Sequence, residues 1–104
     1  MGKKPKMTFE SYISSIEESL DKHKHIFTYN RVIKDQTARF SDGSKFEDIE
    51  MQYFSYHFYI EVTQNLRSYR TKIFSYGYSK VYLGMDKLDL VKLHIELIAT
   101  NAKK

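Results

Sequence analysis

The sequence predicts an α+β fold, a two-layer sandwich in which an N-terminal helix and a C-terminal helix flank an antiparallel sheet of three to five strands. Three observations predict it. Both ends of the chain carry apolar residues at helical spacing, the centre is rich in β-branched and aromatic residues at period two, and turn-forming residues separate these runs.

The first helix is expected over residues 7–24. Phe9, Tyr12, Ile13, Ile16 and Leu20 fall on one stripe, Thr8 suits the N-cap, and Glu10 places negative charge at the positive end of the helix dipole. A strand is expected over Ile26–Ile33, then a turn at Lys34-Asp35-Gln36 and a short partner strand at Thr37–Phe40. Ser41-Asp42-Gly43-Ser44 reads as the clearest turn of the chain.

Residues 49–62 read as one strand with two faces. Phe54, Tyr56, Phe58, Ile60 and Val62 form the more apolar side, and Met51, Tyr53, Ser55, His57, Tyr59 and Glu61 the mixed one. Gln64-Asn65-Leu66-Arg67 is expected to connect to a strand at Ser68–Tyr76. Gly77 then marks a turn or bulge before Tyr78–Leu83. The closing helix runs from about Met85 to Ala99, with Asp86 as N-cap and Asp89 three residues on, as in a capping box. Its apolar residues Leu88, Leu90, Val91, Leu93, Ile95, Leu97 and Ile98 cover most of its circumference, so it is expected to be buried on two sides.

Length bounds this fold to one core. The 104 residues divide into a basic flexible tail, residues 1–6 with Lys3, Lys4 and Lys6, and a single domain over 7–104. The absence of cysteine excludes a disulfide scaffold, a zinc–thiolate site and a thiol nucleophile. No segment approaches the ~18 apolar residues of a membrane span and no apolar run follows the N-terminal lysines. A cytoplasmic protein with no membrane partner is the expectation.

Composition and charge point to binding. Nine Tyr and seven Phe exceed what a small core needs, and Tyr suits half-wet surfaces. Between Glu61 and Asp86 the chain has no acidic residue but carries Arg67, Arg70, Lys72 and Lys80 among five aromatic residues. If residues 69–83 remain extended, Arg70, Lys72, Phe74, Tyr76, Tyr78, Lys80 and Tyr82 share one face. A bulge at Gly77 would break that register after Tyr76. Cations neutralise phosphates and rings stack on unpaired bases. The expected function is therefore a small non-enzymatic domain contacting nucleic acid, RNA or single-stranded DNA, through Arg67, Arg70, Lys72, Tyr76, Tyr78 and Lys80. The alternative is a protein-interaction module, such as an accessory, adaptor or inhibitor protein of a phage or other mobile element. It would act through the tyrosine-rich sheet face and the C-terminal helix, with Leu90, Leu93 and Leu97 as the interface and a homodimer as one outcome.

Chemistry finds little support. His23 and His25 form an H-x-H pair without further ligands at metal-binding spacing, and no metal or cofactor is expected. His57, among Tyr53, Ser55 and Tyr59 and near Arg70 and Lys72, resembles the base of a small ribonuclease only in residue type, since a partnered carboxylate, a nucleophile elbow and a phosphate loop are missing. No catalytic residue is expected. His94, on the apolar helix, reads as a buried or interface histidine.

Overall fold

The computed structural model describes residues 8–39, 45–65 and 68–102. Its elements are α1 (Phe9–Asp21), β1 (Asn30–Arg39), β2 (Lys45–Phe54), β3 (Tyr59–Asn65), β4 (Ser68–Ser75), β5 (Tyr78–Leu83) and α2 (Leu88–Ala102). The five strands pair antiparallel in chain order, β1-β2-β3-β4-β5. Both helices pack on the same sheet face, which gives the α+β sandwich that the sequence predicts. No helix among the described residues is long and apolar enough to cross a membrane.

α1 starts where the Thr8 hydroxyl accepts the Ser11 N–H at 3.0 Å, satisfying one of the orphan donors of the first turn. Tyr12, Ile13, Ile16 and Leu20 turn inward and are buried. α2 starts later than the sequence predicts. Its first turn closes with the Val91 N–H on the Lys87 carbonyl at 3.0 Å, so Lys87, and not Asp86, stands at the cap position. Val91, Ile95, Ile98 and Ala99 face the core.

The strands depart from expectation in two places. Ile26 and Phe27 do not begin β1, because their N–H groups fold back onto the His23 carbonyl at 2.8 and 3.0 Å and extend the exit turn of α1. The buried Phe27 ring then packs edge-on against Phe58, 5.0 Å away. In turn, β1 runs unbroken through Lys34-Asp35-Gln36, where a turn was expected, since each of these residues pairs with β2. That stretch holds no Gly or Pro to interrupt the ladder. Phe40, the turn expected at Ser41–Ser44, Leu66, Arg67 and the tail expected over residues 1–6 lie outside the described residues.

The single strand expected over 49–62 is two strands. A four-residue loop, Ser55–Phe58, reverses the chain and is closed by the Ser55 N–H on the Phe58 carbonyl at 2.9 Å. Phe54 pairs with Tyr59 across it, so the core-facing positions change from odd to even numbers. Met51 and Tyr53 on β2 and Ile60 and Val62 on β3 are buried together, whereas Phe54 lies exposed on the other face. The two faces read from the sequence mix residues of both sheet faces, and Met51 and Tyr53 belong to the core.

Polar contacts tie α1 to the sheet. The Tyr12 and Thr71 hydroxyls share a buried hydrogen bond of 2.6 Å between α1 and β4. Burial holds the Tyr12 phenol above its ordinary pKa. The Glu17 carboxylate accepts from the Tyr53 hydroxyl at 2.8 Å and from Arg31 at 2.9 Å, joining α1 to β2 and β1. Burial first, and then this carboxylate, push the Tyr53 phenol strongly up.

The Tyr12–Thr71 pair makes a direct prediction. Tyr12→Phe strands the Thr71 hydroxyl, and Thr71→Val strands the Tyr12 hydroxyl, each costing about 1–3 kcal/mol in urea unfolding. The double variant removes both polar groups and loses clearly less than the sum of the two. Additive losses would show that the two hydroxyls are not partners.

Candidate functional site

The turn between β4 and β5 decides which side chains meet. Tyr76 (φ 51°) and Gly77 (φ 77°) both occupy the left-handed region, the requirement of a two-residue hairpin turn whose twist matches the strands. Gly77 adopts this conformation at no steric cost, while Tyr76 adopts it against the preference of an L side chain. Ser75 pairs with Tyr78 across the turn, so the two lie on the same sheet face.

This pairing splits the face expected from the sequence. Arg70, Lys72 and Phe74 project from β4 onto the side without helices, paired with Leu83, Val81 and Ser79 of β5. Tyr78, Lys80 and Tyr82 project onto the helix side, paired with Ser75, Ile73 and Thr71. Tyr76 stands exposed at the turn itself. Of the six expected contact residues, only Arg70 with Lys72, and Tyr78 with Lys80, share a face, and the two pairs face opposite ways. Arg67 lies outside the described residues.

The helix-free face is polar and apolar in alternation, with both signs of charge. Gln52 donates to Glu50 at 2.5 Å and to the Tyr59 hydroxyl at 3.2 Å, and Tyr59 donates to Glu61 at 2.8 Å. Burial and then the Glu61 carboxylate push the Tyr59 phenol up to about 12. Arg70 lies 3.8 Å from Glu61, so the central cation of the expected patch already faces a carboxylate. Phe54 packs against Tyr59 with ring centroids 5.0 Å apart, and Phe74 pairs with Tyr59 from the next strand.

On the other side of the sheet the structure assembles a groove. Tyr78, Lys80 and Tyr82 form its floor, and Leu90, Leu93, His94 and Leu97 of α2 its wall, around a volume of about 210 Å³. Leu90, Leu93 and Leu97 recur at i, i+3 and i+7 and remain 50%, 56% and 55% exposed. The second apolar side of α2, expected to be buried, therefore has no cover within the described part of this chain. Tyr82 anchors the groove by a 3.0 Å hydrogen bond between its hydroxyl and His94 Nδ1. The Lys80 ammonium lies 5.8 Å from the Tyr82 ring centroid, within the range of a cation–π contact. Burial and then the Lys80 charge hold His94 below its ordinary pKa.

Other concavities lie away from this groove. A cleft of about 360 Å³ between α1 and β1 contains Glu17 and Arg31, but these two already bond each other. A corner of about 210 Å³ holds His57, whose Nδ1 lies 3.3 Å from the Tyr76 hydroxyl and whose ring lies 6.0 Å from Phe27. His57 thus sits in the β2–β3 loop beside the β4–β5 turn, not beside Arg70 and Lys72. His23 Nε2 lies 2.9 Å from Glu96 and links the end of α1 to α2.

Titration of His94 tests the groove. With its folded pKa below the unfolded value near 6.5, the unfolded chain binds the extra proton. Stability therefore falls as pH drops through 6.5 toward the folded pKa, and holds above 6.5. Lys80→Met raises the His94 pKa in an NMR titration but leaves it below 6.5, because burial is the larger cause. An unchanged value would separate Lys80 from His94.

Comparison of the chain with protein-family models, with curated proteins and with solved structures returned no match.

Proposed function

We infer that this chain is a small non-enzymatic binding domain that works by protein–protein contact, with the α2–β5 groove as its contact surface. The observation that carries the reading is the half-exposed stripe of Leu90, Leu93 and Leu97 beside Tyr78 and Tyr82. Isolated exposed leucines are ordinary, but three on one helical stripe lining a groove form a contiguous apolar patch of the kind that marks interaction sites. The tyrosines add rigid area with a polar tip, and Lys80 supplies a charged rim.

The positions of the cations favour a protein partner over nucleic acid. Phosphate neutralisation combined with stacking needs cations and rings on one surface. Here Arg70 and Lys72 face away from Tyr78, Lys80 and Tyr82; the rings on their own face, Phe54, Tyr59 and Phe74, stand with the carboxylates of Glu50 and Glu61, and Arg70 already lies 3.8 Å from Glu61.

Two measurements test the reading. A photo-crosslinking residue placed at Leu93 in cells is expected to give discrete protein adducts, while the same residue at exposed Lys22 gives none. Absence of discrete adducts at Leu93 would contradict it. Fluorescence anisotropy with short RNA and single-stranded DNA is expected to show no binding at physiological salt. Micromolar binding that Arg70→Glu with Lys72→Glu abolishes, without lowering the melting temperature, would overturn it in favour of nucleic acid.

A further inference from the structure

The two edges of the sheet differ. Among the described side chains, the first five residues of β1 carry Arg31 and Lys34, whereas β5 carries Lys80 alone among six. Charged side chains protect an edge from pairing with another strand, so β5 is the less protected edge. It is also apolar on both faces, with Val81 and Leu83 exposed on the helix-free side and the leucine groove on the other.

The backbone of β5 is set for pairing. Next to a two-residue turn Ser75 and Tyr78 exchange main-chain hydrogen bonds, so by antiparallel alternation Lys80 and Tyr82 also bond β4. The Gly84 N–H on the Tyr69 carbonyl, at 2.8 Å, continues that alternation. Ser79, Val81 and Leu83 therefore direct their N–H and C=O groups outward along the edge.

We propose that the occupant of this edge is a second copy of the chain, paired β5 to β5 about a two-fold axis at Val81. This rests on the protein-contact reading above and names its partner. Antiparallel pairing that keeps both helical layers on one side requires opposed residues of the same parity. Centred on Lys80, such a pairing sets two ammonium groups directly against each other, which is unfavourable. Centred on Val81, it opposes Lys80 to the partner's Tyr82 and Ser79 to the partner's Leu83. Each ammonium then meets a ring face, and the outward N–H and C=O groups of Ser79, Val81 and Leu83 all find partners. The groove lining holds no carboxylate, so two copies close it without burying an unpaired acid. The two leucine stripes meet over the joined strands.

Because the chain has no cysteine, single substitutions read the register directly. Val81 opposes itself, with Cα atoms about 5.5 Å apart in a hydrogen-bonded pair, within the ~4.4–6.8 Å span of a disulfide. Ser79 is displaced from its own copy by four residues at about 3.3 Å each, beyond that span. Sedimentation from low to high micromolar is expected to give twice the 12.4 kDa chain mass. Val81→Cys crosslinks to a dimer on mild oxidation. Ser79→Cys does not, unless mixed with Leu83→Cys. Val81→Pro, which removes an outward N–H that β4 does not use, and Leu93→Glu each return the mass to the monomer while circular dichroism remains unchanged. A monomeric wild-type chain over the whole range, or equal crosslinking at 79 and 81, would overturn the dimer. If the Leu93 photo-adducts are then with a different protein, the contact surface stands and the second copy falls. If no adducts form at all, both fall.

Discussion

The placement of side chains at the β5 edge depends on a backbone constraint, the two-residue turn at Tyr76 and Gly77. With both residues at positive φ the chain reverses in the fewest residues, and Ser75 and Tyr78 come to lie on one face. One residue more in this turn would exchange the two faces of β5. Tyr78, Lys80 and Tyr82 would then look away from the helices. Leu90, Leu93 and Leu97 would face a floor of Ser79, Val81 and Leu83 instead.

The same even-numbered reversal operates at Ser55–Phe58, and together these turns distribute the aromatic surplus. Met51 and Tyr53 enter the core from odd positions of β2, Ile60 and Val62 from even positions of β3, and Thr71 and Ile73 from odd positions of β4. The helical layer then closes over these residues. α1 is held to the sheet by Tyr12–Thr71 and Glu17–Tyr53, and α2 is joined to α1 by His23–Glu96. α2 reaches β5 through the Tyr82–His94 bond, and its leucine stripe projects beyond the layer toward the free edge. The groove is a consequence of covering a five-stranded sheet with two helices, one of which has more apolar surface than the sheet beneath it can bury.

The fold was legible in the sequence because it rests on local periodicity. The α1 stripe, the Thr8 cap and the apolar run of α2 are all readable within a few turns of chain. The apolar stripe Leu90, Leu93 and Leu97 was legible for the same reason. What sequence alone could not show were quantities that depend on loop length and on distant pairing. Tyr76-Gly77 lacks the Asn-Gly or Asp-Gly signature of its turn type, so a turn and a bulge looked alike there. The run of aromatics from Tyr53 to Tyr59 concealed a reversal with no Gly or Pro to mark it. Lys34-Asp35-Gln36 looked like a turn by polarity, whereas a continuous ladder to β2 keeps it extended.

Nuclear Overhauser contacts from the side chains of β5 report directly which face of the sheet each of them occupies. Contacts are expected from the Tyr82 and Tyr78 rings to His94 of α2, and from the Val81 methyls to the Lys72 side chain on the opposite face. Contacts from the Tyr82 ring to Lys72 or Arg70, with Val81 against α2, would contradict this placement, because β5 would then be turned over and the groove would have a different floor.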